Sequence, residues 1–438
     1  MSIRCERPWT WALLILLIAI VVNMAAGLTM GIRRPVISDG RQFLVLAQSL
    51  ARGDGYRCSE TFWPDSPSMQ RMPGWPLVIA AGLRLTSGVD ADVAMRVLCL
   101  LLNAAVAVII FFLTLQLFNR VSMAVVAGLL YVMNPTGIYL AYNGLSETLF
   151  LVLAGGGLVL IVGDGRWKMA GFLLLGCACL ERANFLVWVV CFTMFLLAYM
   201  VGVRRPTTNL STVLSLKSLV FGVVLFVLPP LLWVGRNYMV SGHFPVLSTL
   251  RGAAVYGSNN PMVASDLKYW GYWVFPDQIS GETPQVELAK NMSEYDVDVY
   301  YFNKGIAYIR HNWFAMPRLL VGKLVRAYIP VPWKPDWGTY LAGCYRVLVF
   351  LFASIGVWVS WKKLGIEFKC AFLAMAMANV LTVLIFYGYA RFAFSFEAFL
   401  LPFAVVGLFK GWEKNVSRGV RILLRSNYGG QGEGQGEG

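Results

Sequence analysis

The chain has 438 residues, of which 58% are hydrophobic and only 14% charged, with a formal net charge of +14. Soluble proteins carry about 25% charged residues, so an ordinary soluble enzyme is excluded and a protein built for lipid is expected. The positive charge does not call for nucleic acid, because basic residues fall in alternate short connections between apolar blocks, as cytoplasmic loops do.

A hydrocarbon core about 30 Å thick takes about 20 residues of helix to cross. Lipid leaves no unpaired backbone group satisfied, so apolar blocks of that length must be helices. The first predicted span covers residues 9–29, follows Arg4 and Arg7, and lacks a signal-peptidase pattern, so it reads as a retained anchor. A polar stretch, 33–73, is expected outside. In it Ser38-Asp39-Gly40 opens an amphipathic helix, with Asp39 either its N-cap or a functional carboxylate. Residues 76–85 are apolar but too short to span, which suits a re-entrant or interfacial helix.

Further spans are predicted at 93–118, 124–142, 148–162, 169–180, 185–203 and 219–234, with Arg166, Lys168, Arg204 and Arg205 in alternate loops. A second external stretch, 236–340, holds the aromatic run Lys268-Tyr269-Trp270-Gly271-Tyr272-Trp273. Its end, 297–328, alternates aromatic and basic residues and would rest on headgroups. Spans at 341–361, 371–387 and 396–409 follow, bounded by Lys362, Lys363 and Lys369 and by the tail residues Lys410, Lys414, Arg418, Arg421 and Arg425. The expected architecture is an all-α polytopic membrane protein of about ten spans in one domain, 1–415. A disordered cytoplasmic tail, 416–438, ends in Gly/Gln/Glu repeats. Both termini are expected in the cytoplasm and the protein in the plasma (inner) membrane. Of eight cysteines most lie inside spans and only Cys58 and Cys344 are expected on the external side, far apart in sequence, so no disulfide framework is legible, and two histidines are too few and too scattered for a histidine-based metal site.

Charges at the outer ends of spans need a reason. Asp39 follows the first span, and Glu147 opens the fourth. Glu181-Arg182-Ala183-Asn184 lies between two apolar runs, Arg236-Asn237 ends another, and Arg391 sits in a tight turn before Glu397. Two carboxylates, Asp39 and Glu147, and three arginines, Arg182, Arg236 and Arg391, thus belong to one face. A guanidinium fork matches a phosphate, and a carboxylate can take the proton of an attacking hydroxyl. Glycosyl transfer from a lipid phosphate uses both. A transporter or lipid-linked glycan flippase is the alternative; it predicts polar residues through the depth of the bundle and often internal repeats, and no repeat is found.

The order of these residues resembles the GT-C superfamily of polyprenyl-phosphate-sugar-dependent glycosyltransferases, nearest its protein O-mannosyltransferase and aminoarabinose-transferase branch. The resemblance rests on Ser38-Asp39, on 46–56, on Arg71-Met72-Pro73-Gly74-Trp75-Pro76, on Asn134-Pro135, Ser146-Glu147 and Glu181-Arg182-Ala183-Asn184, on Arg236-Asn237-Tyr238, and on Arg391-Phe392 with 397–402. Met72-Pro73 departs from the family's paired prolines, and Glu181 stands where an uncharged residue is usual. The resemblance implies an inverting transferase with Asp39 as general base. It also implies a donor phosphate held by Arg391, Arg236 and Arg182, and further polar groups in Glu147, Asn184, Asn237 and Glu397. No nucleotide, other cofactor or divalent metal is expected. The partners implied are membrane lipid, a polyprenyl-phosphate sugar and a glycan, lipid or protein acceptor.

Overall fold

The computed structural model describes residues 7–163, 167–202, 216–245, 247–329 and 336–428. Those residues form helices, with one isolated β-bridge between Arg57 and Pro67. Each block predicted to span is helical. α1 (Pro8–Met30) buries Ala12, Ile15, Ala19, Asn23 and Gly27, a stripe at three- and four-residue spacing that is a single helix face. α2 (Ser38–Arg52) and α3 (Gly74–Leu85) pack together outside. α4 (Ala91–Phe118), capped by Asp90, takes the stripe of α1. α5 (Val121–Val132) and α6 (Pro135–Tyr142) are long and apolar enough to cross only when taken together, and they bend by 49° at the break between them. The bend falls where Asn134 caps α6 and Pro135 has no N–H to continue the ladder.

α7 (Glu147–Val162), α8 (Lys168–Cys179), α9 (Phe185–Gly202) and α10 (Leu216–Ser241) continue the bundle. The outer layer follows as α11 (Arg251–Ser258), α12 (Pro261–Ser265), α13 (Gln285–Leu288), α14 (Glu294–His311) and α15 (Met316–Tyr328). α16 (Trp337–Ser360), α17 (Ile366–Ile385) and α18 (Ala390–Tyr428) return to the membrane. Among the described residues six of these helices are long and apolar enough to cross, seven if the bent pair is one span, while α3, α7 and α8 are shorter. The expected ten spans therefore include segments shorter than a full crossing. α18 runs from Ala390 to Tyr428. Residues 429–438, Arg166, Arg204 and Arg205 lie outside the described residues.

Two contacts fix where α18 begins. Gly356 of α16 meets the Phe403 carbonyl and Gly407 of α18 meets that of Phe352, so the backbones touch and a Cβ at either place would collide. Above them Arg346 of α16 pairs with Glu397 of α18 at 2.7 Å, and Asn134 donates to the same carboxylate at 2.8 Å. Arg346 also donates to the carbonyl of Ala390 at 3.2 Å, the residue before Arg391. Removing one member of such a buried pair costs about 3–5 kcal/mol, so the pair is a lock on the first turn of α18.

The outer segments are stitched through backbone groups. The Tyr56 hydroxyl donates toward the carbonyls of Arg71 and Met72, each at 3.0 Å, and the Ser68 amide donates to Tyr56 at 2.9 Å. The loop thereby folds back and returns Arg71 to α2, its guanidinium 5.4 Å from the Phe43 ring. Glu294 of α14 accepts from the Met69 amide at 2.8 Å. On the other side Arg326 of α15 donates to the carbonyls of Lys268 and Trp270, and the Gly388 amide donates to Gly271 at 2.9 Å. The aromatic run is therefore strapped over the turn that leads into Arg391.

Candidate active site

Three helix N-termini meet at one place. Asp39 lies in the first turn of α2, Glu147 is the first residue of α7, and Arg391 is the second of α18. Helix N-termini carry partial positive charge and unpaired N–H groups, which favour anions. Asp39 is not the cap of α2. The cap position is Ile37, with no side-chain cap bond, and Ser38 before Asp39 holds a left-handed φ of 55°. The turn fits because Gly40 sits against the Asn143 carbonyl, where no side chain has room.

The side chains form one chain of charges. Arg71 Nη2 lies 2.5 Å from Asp39 Oδ1, and Arg391 Nη1 lies 2.6 Å from Asp39 Oδ2. Arg391 donates with its Nε to Glu147 Oε1 and with its Nη2, at 3.1 Å, to Glu147 Oε2. Arg182 Nη1 reaches Glu147 Oε1 at 2.7 Å. Three arginines against two carboxylates leave one excess positive charge. The Glu147 side chain is fully buried, whereas that of Asp39 is 36% exposed, so the open end of the network is Asp39. Burial raises the Asp39 pKa, but Arg71 and then Arg391 outweigh it and hold the carboxyl well below the usual carboxylate range. At rest Asp39 is charged and both of its oxygens are engaged.

The structure brings together Asp39, Glu147, Arg182 and Arg391 and leaves the other expected residues apart. Arg236 donates to the Ser68 carbonyl at 2.7 Å and to Asn237 Oδ1 at 2.9 Å, with its guanidinium over Trp233 and Tyr56. It reaches the cluster only through Tyr56, because the loop 56–73 stands between them. Asn237 is buried as its partner. Glu397 belongs to the Arg346 lock, deeper in the bundle, and Asn184 is a half-buried residue of the α8–α9 turn. Arg71, not Arg236, is the third arginine. Its signal in the sequence is its place before the Met72-Pro73-Gly74 turn, where a loop must return to the helix it left. Gln42, one turn after Asp39, fixes Arg71 by accepting from its Nε at 2.8 Å. Among the described residues no three His, Cys, Asp or Glu side chains gather as a cation would need.

Glu181 is beside this network but outside it. Both of its oxygens are buried with no partner, against Gly74 at the start of α3. Burial and then Glu147 push its carboxyl well above the usual range, which favours the protonated form and weakens it as a competitor for Arg182. A raised carboxyl means the folded state binds the extra proton above about pH 4.3, so stability falls as pH rises from there. Glu181→Gln, neutral and of the same shape, should work normally and be flatter in melting temperature against pH than the parent. A variant that unfolds or shows the parent slope would place a charge on Glu181.

No protein-family model matches the chain, and no curated protein matches it by sequence. Solved structures do. An oligosaccharyltransferase of Archaeoglobus fulgidus in the apo form superposes with a TM-score of 0.55 at 12% identity, over 95% of this chain and 52% of that one. The archaeal oligosaccharyltransferase AglB from Archaeoglobus fulgidus, in complex with an inhibitory peptide and a dolichol-phosphate, gives 0.53 at 13%, over 97% and 53%. ArnT from Cupriavidus metallidurans, bound to undecaprenyl phosphate, gives 0.43 at 16%, over 91% and 78%. The chain spans about half the length of the two oligosaccharyltransferase structures. The chain has an all-α polytopic membrane fold, similar to that of the two oligosaccharyltransferase structures.

Proposed function

We propose that this chain is an integral membrane glycosyltransferase that moves a sugar from a polyprenyl-phosphate donor to an acceptor hydroxyl at the external face. The observation that carries the reading is the cluster of Arg71, Arg182 and Arg391 around Asp39 and Glu147 where three helices begin. It joins an excess of positive charge to an accessible carboxylate. AglB, whose fold the chain shares, was solved with a dolichol-phosphate bound, the donor chemistry this reading requires.

In the reaction a donor phosphate accepts from Arg391 and Arg71 and takes the place of Asp39 as their counter-ion. Asp39, freed on one oxygen, accepts the proton of the acceptor hydroxyl as that oxygen attacks the anomeric carbon. The bond from that carbon to the phosphate oxygen breaks, its electron pair stays on the phosphate, and the arginines stabilise the charge that develops. Attack opposite the leaving group inverts the anomeric centre. Arg391 and Arg71 supply the positive charge, so no divalent metal is called for. The acceptor is a glycan, lipid or protein hydroxyl. The basic residues in alternate connections support a topology with both termini in the cytoplasm and the cluster on the opposite face of a plasma (inner) membrane.

The test is purified protein in lipid nanodiscs, given a panel of radiolabelled polyprenyl-phosphate sugars and an extract of membrane glycans and lipids. One donor should be consumed, with an inverted product and an undiminished rate in EDTA. Consumption of none, with the lipid phosphate instead moved across proteoliposomes, would overturn the reading in favour of a flippase. Loss of transfer in EDTA that returns with a divalent cation would overturn the metal-free step.

A further inference from the structure

The strap over the Arg391 turn delivers aromatic rings to the open side of the cluster. Tyr272 stands edge-on to Tyr389, with centroids 5.7 Å apart at 77°, and edge-on to Tyr387 at 6.3 Å and 79°. Tyr387 and Tyr389 are tilted by only 30° to each other, so the three rings make a corner. Trp273 backs Tyr387 at 5.9 Å, and Tyr387 rests on Phe392 at 4.9 Å, the residue after Arg391. All three tyrosines are half-buried. The corner is held rigid from behind by the Gly388–Gly271 hydrogen bond and by Arg326 on the Trp270 carbonyl.

The corner faces the charged groups. Burial and then Tyr387 raise the Tyr272 phenol above its ordinary range, and the Asp39 carboxylate adds to this. Tyr387 is pushed up to about 12, by burial first, with Arg391 opposing and Asp39 reinforcing. Both rings therefore lie within electrostatic reach of Asp39 and stay neutral. Among the described residues neither the Tyr387 nor the Tyr389 hydroxyl has a hydrogen-bond partner, although both sit in a half-buried place where such groups are normally paired. Packing alone would be served by phenylalanine.

We infer that Tyr272, Tyr387 and Tyr389 form the wall on which the transferred sugar ring stacks, an assignment that rests on the proposed glycosyl transfer. A pyranose or furanose presents an electropositive C–H face, which suits the negative face of an aromatic ring, and a rim of hydroxyls for the phenols. The wall then sets the distance from the anomeric carbon to Asp39 and selects among donors by their sugar, while the arginines read only the phosphate.

Two probes separate these roles: a bare polyprenyl phosphate, and the same lipid phosphate carrying a hexose or a pentose. Binding of each to protein in nanodiscs is measured for the parent, Tyr272→Leu, Tyr387→Leu and Tyr387→Phe. The Leu variants should lose about ten-fold in affinity for the preferred sugar-bearing probe and change less than about two-fold for the bare one, ten-fold being one lost ring contact. Tyr387→Phe keeps the ring but loses the phenol, so it should lose less than Tyr387→Leu on the sugar-bearing probe and nothing on the bare one, which guards against a folding defect. Equal losses on both probes, or none on either, overturn the wall while leaving the phosphate reading intact. A parent that binds the bare lipid but gains nothing from any sugar does the same. A parent that binds neither probe overturns the proposed function and the wall with it.

Discussion

Asp39→Asn protein should insert, fold and bind a bare polyprenyl phosphate, and transfer sugar about 10²–10⁴-fold more slowly than the parent. A sugar hydroxyl is a poor nucleophile until its proton has somewhere to go, and the amide of Asn cannot accept it. A helix-capping role would predict little change, since Asn caps about as well as Asp. The geometry already removes that role, because α2 has no side-chain cap bond and both Asp39 oxygens are spent on Arg71 and Arg391. Those arginines also fix the pH behaviour. A carboxyl depressed by its partners keeps its charge above the ordinary value of about 3.9 and loses it only as pH falls through its own lower pKa. The kcat/KM profile should therefore show no acid limb from Asp39 at pH 5 or above. Near-parental transfer by well-folded Asp39→Asn protein would refute the base and make Glu147 the carboxylate to test.

Arg391→Lys is expected to cost about 10²-fold in kcat/KM for the donor, the scale of one lost oxyanion donor. Arg391 alone touches both carboxylates, offering Nη1 to Asp39 and Nε with Nη2 to Glu147. An ammonium is a point charge and cannot span the two. Glu147 keeps Arg182, so the fold should survive, and the loss should fall on chemistry and donor binding rather than on melting temperature. Competition by bare polyprenyl phosphate reads the binding share directly. If the lysine variant binds that lipid and saturates with donor as the parent does, Arg391 is not in the phosphate site. Arg236→Lys is the control: its guanidinium serves Ser68 and Asn237, and donor saturation should hardly move.

The spans were legible because apolar length is a local property, and each predicted block falls on helix, though 124–142 is broken into α5 and α6 and 396–409 lies inside the longer α18. The break at Asn134-Pro135 was not foreseen inside the predicted block 124–142, although the missing N–H of Pro135 and the Asn134 cap account for it. Asp39, Glu147, Arg182 and Arg391 could be gathered because topology alone puts helix ends of one parity on one side. Parity gives a face, though, not a position on it. Arg236 and Glu397 share the parity and sit elsewhere, the first behind the loop 56–73 and the second inside the Arg346 lock. Arg71 was missed as a site residue because its place depends on Tyr56 and Glu294 folding a loop back, contacts between residues far apart in the chain.

The strap across the Arg391 turn is fastened almost wholly through main-chain atoms. The Gly388 amide meets the Gly271 carbonyl, and Arg326 meets those of Trp270 and Lys268. A carbonyl is the same whatever side chain stands beside it. Exchanging Tyr272 leaves those carbonyl contacts in place and removes only its ring from the Arg326 guanidinium 5.5 Å away, whereas Trp273 is itself a fastening, its Nε1 donating to the Ala253 carbonyl at 3.0 Å. The scaffold thus separates heritable tinkering with what is recognised from the charges that react, and a library confined to positions 272, 387 and 389 is the place to search for altered donor choice.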